Sequence, residues 1–149
     1  FEVEDISSRL EQSGALARED TKHLRHLYYE SRELLDEIRT PHFLHTDLWS
    51  GNVLLDPDTL EIAAIIDSDR AMFGDIALEF ASPWLEIPAL KEGHDSVLPK
   101  ISLPGDAKRR QLYQMFYYIW EIHVGYSEYN DTGLYETRKR QLLDCISCF

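Results

Sequence analysis

An aspartate, an asparagine and a second aspartate stand at positions 47, 52 and 67, in His45-Thr-Asp-Leu-Trp-Ser-Gly-Asn52 and in Ile65-Ile-Asp67. Those residue types suit phosphoryl transfer. One carboxylate orients or deprotonates a hydroxyl, while an amide and a carboxylate give oxygen ligands to magnesium on the phosphates. Singly, each has a plainer reading: Asp47 and Asn52 as loop caps, Asp67 as a turn former at a strand end. What lies between them makes them a set.

Val53-Leu-Leu55 reads as a strand, Asp56-Pro-Asp-Thr59 as a turn with Pro57 at its second position, and Leu60 to Ile66 as a returning strand. Antiparallel pairing brings the two ends of this hairpin together, so Asn52 and Asp67 become neighbours. Phe43-Leu44 leads in as a short buried stretch. Asp67 to Gly74 reads as a loop, after which Asp75 or a neighbour caps a short helix.

The remaining elements are helical. Residues 3–12 place Val3, Ile6 and Leu10 inward. From Asp20-Thr21 one helix carries Leu24, Leu27, Tyr28, Leu34, Leu35 and Ile38 as a 3.6-residue stripe until Pro41 stops it, with His23 and His26 on its surface. Residues 83–105 are irregular and proline-rich. Asp106 looks like the N-cap of a helix reaching about Tyr129, with Leu112, Met115, Phe116, Ile119, Trp120 and His123 inward and tyrosines on its flanks. A last helix covers about 134–147. The expected class is mainly α with a small β-hairpin (α+β), in one domain of 149 residues.

Fifteen basic against 27 acidic residues give a net charge of −12, which argues against a nucleic-acid partner. It suits a cationic small molecule. No apolar run approaches the ~20 residues of a membrane span, and the acidic start does not read as a signal peptide. Cys145 and Cys148 form one CxxC without a second ligand pair, a weak zinc signal better read as helix packing in a reducing cytoplasm.

The longer pattern is more specific. His45-x-Asp47-Leu48-x-x-Gly51-Asn52, then Ile-Asp67, Gly74-Asp75 and Glu79-Phe80-Ala81 resembles the aminoglycoside phosphotransferase family, a kinase-like group that includes fructosamine, choline and homoserine kinases. The Asp-Leu-Trp-Ser-Gly-Asn wording is most similar to the fructosamine kinase branch. The resemblance implies the C-terminal large lobe of a protein-kinase-like fold, with the N-terminal nucleotide lobe absent from this chain. It implies ATP (or GTP) as phosphoryl donor, Mg2+, and a small-molecule hydroxyl as acceptor: an aminoglycoside, a sugar or an amino-bearing alcohol. Asp47 would be the catalytic base, and Asn52 and Asp67 the magnesium ligands. His45 would hydrogen-bond to backbone and orient Asp47, Gly51 would allow a tight turn, and Asp75 would cap the next helix and brace the magnesium loop. Asp69, Glu121 and Glu128 are candidates for acceptor binding. Thr46 stands where the family has Gly, Trp49 for His, Ser50 for Pro, Ile76 for Pro, and Glu79 for Asp in a structural position. None of these changes removes the base or a ligand.

Two rivals follow from the same residues. The apolar strand before Asp67-Ser-Asp69 looks like the start of a haloacid-dehalogenase-type phosphatase, but no βαβ succession follows it. A catalytically silent pseudokinase or binding module would keep the fold without the chemistry. With the nucleotide lobe missing, this chain by itself is expected to be inactive.

Overall fold

The computed structural model describes residues 2–83, 92, 93, 96 and 105–149. Within these, α1 (Glu2–Ser13), α2 (Arg18–Glu30) and α3 (Arg32–Asp36) precede four short strands, β1 (His42–Leu44), β2 (Val53–Leu55), β3 (Ile62–Ile65) and β4 (Met72–Gly74). The one-turn helix α4 (Ile76–Glu79) follows, and α5 (Asp106–Ser127) and α6 (Thr132–Cys148) complete the order. The class is mainly helical with small antiparallel sheets.

Two apolar clusters position the rest. The larger joins α1, α2, α5 and α6 through Leu10, Leu24, Met115, Ile119, Ile122 and Leu142, all fully buried. Each such side chain stabilises the fold by roughly 1.5–3 kcal/mol. The smaller joins β1, α4 and α5 through Leu44, Leu78, Ala81 and Tyr117, and the candidate site sits on it.

The stripe expected from Thr21 to Ile38 runs through a bend. Ser31 is buried with φ −92° and ψ 5°, which separates α2 from α3. Ser31 N still donates to Leu27 O, and Leu35 N to Ser31 O. The i to i+4 spacing survives the bend, so periodicity does not register it.

The hairpin forms as expected, with Val53 opposite Ile65 and Leu54 opposite Ala64. Its second strand starts at Ile62, because Leu60 adopts φ +60° at the end of the turn. Asp56 Oδ1 accepts from Asp58 N and Thr59 N and holds that turn. The hairpin's apolar side chains are not buried: Leu54, Leu55, Ile62 and Ile65 are about half exposed or more.

Other expectations need correction. Residues 72–74 are a strand, not a loop, pairing with β1 so that Leu44 faces Met72 and His42 faces Gly74. The partner lies 30 residues away, beyond the reach of local pattern. Phe43 is exposed rather than buried, edge-on to the exposed Phe73 across this ribbon. Asp106 is not an N-cap. Gly105 takes that place with φ +81°, and Asp106 lies buried in the first turn against Arg109. The irregular stretch expected over 83–105 falls almost wholly outside the described residues.

Among the described residues no helix is long and apolar enough to cross a membrane. Cys145 and Cys148 are not in a disulfide, and among the described residues no group of three or more His, Cys, Asp or Glu is arranged to hold a metal.

Candidate active site

The segment from Leu44 to Asn52 crosses from β1 to the hairpin and is tied down at each step. Glu79, at the end of α4, accepts the amide of His45 at 2.6 Å and that of Thr46 at 3.2 Å. Tyr117 on α5 donates its hydroxyl to Thr46 O at 3.3 Å. Burial, then the charges of Glu79 and Asp47, push the Tyr117 phenol well above its usual range, so it remains a neutral donor. Thr46 adopts φ +63°, a conformation that costs a β-branched residue of the order of 1–3 kcal/mol. These clamps hold it there.

Asp47 and Asn52 meet directly. Asn52 is buried and donates Nδ2 to Asp47 O at 2.8 Å and, more weakly, towards Asp47 Oδ2 at 3.4 Å. With its NH2 spent on the aspartate, the amide leaves Oδ1 for another partner. Ile66 N donates to Asn52 O at 3.0 Å, which sets Asp67 beside the asparagine at the open end of the hairpin. Asp67 is exposed and also has a left-handed backbone, φ +63°. An amide oxygen and an exposed carboxylate are ligand types that suit magnesium, which takes few protein oxygens and keeps water and phosphate ligands.

His45 is buried, and its Nε2 lies 2.9 Å from Ile66 O. The imidazole therefore hydrogen-bonds to backbone, as the resemblance implies, at the residue before Asp67. Gly51 has no left-handed backbone to accommodate. A Cβ at that position would collide with the Trp49 indole, which lies across the glycine. Gly51 also lies within the one-turn 3₁₀ helix Ser50–Asn52, the tight turn expected of it, closed by Asn52 N donating to Trp49 O at 3.0 Å. Asp75 caps α4, accepting from Ala77 N at 3.0 Å, and its other oxygen meets Arg109 Nε at 2.9 Å and the Tyr113 hydroxyl at 3.1 Å.

A cavity of about 490 Å³ opens at Thr46, the residue before Asp47. Thr46, Asp69, Arg70, Trp120 and His123 line it together with Arg9 and Asp5 of α1. Of the three acidic candidates for acceptor binding, Asp69 is in this lining. Glu121 is not: it is buried against Arg138 between α5 and α6. Glu128 is exposed just beyond the end of α5.

Residue types and spacing did not single out Arg70, the Glu79 clamp, Arg109 or the Tyr117 hydroxyl. Glu79 carried a signal, since it fell in the matched pattern at a position read as structural. Arg70 carried another, being the first Lys or Arg after Arg39.

The chain has relatives in sequence and in fold. The model of the phosphotransferase enzyme family matches residues 3–93, more than half of the sequence, and the chain belongs to that family. A relative, protein-ribulosamine 3-kinase, chloroplastic, of Oryza sativa subsp. indica, is 29% identical over 99 residues, covering 65% of this chain and 28% of the relative. The crystal structure of a putative fructosamine-3-kinase from Thermobifida fusca YX-ER1 superposes with a TM-score of 0.61 at 21% identity. It covers 96% of this chain and 46% of that one, so the fold is kinase-like. The chain thus spans under half the length of either protein.

Proposed function

We propose that this chain is the large lobe of an ATP-dependent phosphotransferase that phosphorylates a hydroxyl of a small molecule. The observation that carries the proposal is the joined pair Asp47–Asn52, with Asp67 at the hairpin end beside it. In this reading Asp47 accepts the acceptor's proton as the hydroxyl oxygen attacks, help worth roughly 10²–10⁴-fold in rate. Asn52 Oδ1 and the Asp67 carboxylate hold magnesium, which supplies neutralisation of phosphate charge. The amide of Asn52 also keeps Asp47 from turning away. Glu79 and Tyr117 fix the loop backbone, so that the carboxylate is in position before substrate arrives.

The acceptor enters the cavity lined by Asp69, Arg70 and Trp120. The names of the two relatives make ketosamines, sugars joined to an amine, the first compounds to test, followed by aminoglycosides, choline and simple sugars. A separate nucleotide lobe completes the enzyme, and this segment expressed by itself does not turn over.

Replacing Asp47 by Ala in the full-length protein tests the core of the reading. Phosphotransfer, measured by coupled ADP release with the best acceptor of such a screen, falls at least about a hundredfold. The circular dichroism spectrum stays that of the parent. Activity retained in a folded variant removes Asp47 from the mechanism.

A further inference from the structure

Phosphoryl transfer spreads negative charge over the moving group, and a positioned cation lowers that barrier. The catalytic segment brings none of its own: no Lys or Arg occurs between Arg39 and Arg70. Arg70 ends this gap. It lies three residues after Asp67 in the same short loop, and its guanidinium reaches back to Asp47, Nη1 to Oδ1 at 3.8 Å.

The placement is built on both sides. Thr46 Oγ1 donates to Arg70 O at 2.8 Å, and Ala71 N donates to Ser68 O at 3.1 Å, which fix the backbone of the loop. The guanidinium stacks on the Trp120 ring of α5, 4.1 Å from its centroid. The side chain remains 41% exposed. With Arg70 partly exposed, Asp47 only 14% exposed and the two 3.8 Å apart, the ion pair itself contributes little to folding. Its several N–H donors allow one edge to stay on Asp47 while another faces an incoming oxyanion.

We propose that Arg70 is a catalytic residue that contacts the transferring phosphoryl group, with Trp120 as its backstop. The assignment rests on the phosphotransferase reading above. In the step it serves, the bond between the terminal phosphorus and the bridging oxygen of the nucleotide breaks, and its electron pair leaves on the nucleoside diphosphate. A bond forms from the acceptor oxygen to that phosphorus, and the hydroxyl proton passes to Asp47. The guanidinium neutralises charge on the phosphoryl oxygens and takes no part in the proton's path.

Binding of a transition-state mimic tests this without an acceptor. The full-length protein and its Arg70→Met and Arg70→Lys variants are titrated calorimetrically with MgADP, and with MgADP plus aluminium fluoride. In Arg70→Met, MgADP affinity stays within about twofold, while affinity for the fluoride complex drops by about tenfold or more; Arg70→Lys falls between. Circular dichroism melting shows that both variants are folded. Equal mimic affinity in parent and Arg70→Met overturns the assignment and leaves the phosphotransferase reading standing. An equal loss of MgADP and mimic also overturns it, since Arg70 would then serve ground-state binding. A parent protein that binds no MgADP at all sinks the phosphotransferase reading, and this assignment with it.

Discussion

Glu79 does for the loop from Leu44 to Asn52 what no residue inside that loop can do. Its carboxylate takes the amides of His45 and Thr46, one of which belongs to a threonine in a left-handed backbone. Hydrogen bonds to a charged group are each worth about 1.5–3 kcal/mol. Replacing Glu79 by Ala should therefore lower unfolding stability by about 2 kcal/mol or more, read from urea titration. A loss below about 0.5 kcal/mol would mean that the clamp is not what holds Thr46. At this scale the sequence was legible where spacing is local: Asp47 and Asn52, five residues apart, meet through the Asn52 amide. It was silent where the role depends on a partner far along the chain. Glu79 meets His45 across 34 positions, and Arg70 reaches Trp120 on a helix that begins 36 residues later.

Helix α5 is the element on which the site leans. Arg109, Tyr113, Tyr117 and Trp120 follow at spacings of four, four and three, so they share one face. Each touches something the site needs: Asp75, Asp75 again, Thr46 O and Arg70. Apolar periodicity showed that the helix exists and that Leu112, Met115 and Ile119 are inside. It did not show that a flanking tyrosine, Tyr117, is buried as a donor, because period alone ranks a phenol by its ring and not by its hydroxyl. Arg109 is fully buried between Asp75 and Asp106. Replacing it with Met leaves two buried carboxylates without their cation, a loss of about 3–5 kcal/mol. Thermal melting should show a large fall in midpoint. Arg109→Lys, keeping the charge but not the fork, should lose less; an unchanged midpoint in Arg109→Met would remove the pair from the framework.

At the scale of the whole molecule, Tyr28, Tyr113 and Tyr117 share one electrostatic property. All three have their ionisation pushed well above the ordinary tyrosine value, first by burial. A folded pKa above the unfolded one, about 10, means that this contribution is intact below pH ~10 and is lost as pH rises beyond it. Alkaline titration should thus show phenolate absorbance from these tyrosines appearing together with loss of helical circular dichroism. Complete ionisation of all eight tyrosines near pH ~10 with the helices intact would contradict their burial. The kinase-like class was legible at this scale because the hairpin and its flanking motifs are local in sequence. The ribbon of β1 with β4 and the bend at Ser31 were not, since one is a distant pairing and at the other Ser31 keeps its hydrogen bonds to Leu27 and Leu35.

The two strand pairs share a further property. Leu54, Leu55, Ile62 and Ile65 on one, and Phe43, Met72 and Phe73 on the other, turn oil towards water. As a colloid, the chain is a sticky particle with a like-charged coat: at net −12, electrostatic repulsion between copies opposes contact between those faces. Near pI 4.8, or in salt that shortens the reach of that repulsion, the coat thins and the faces are left to govern how copies meet.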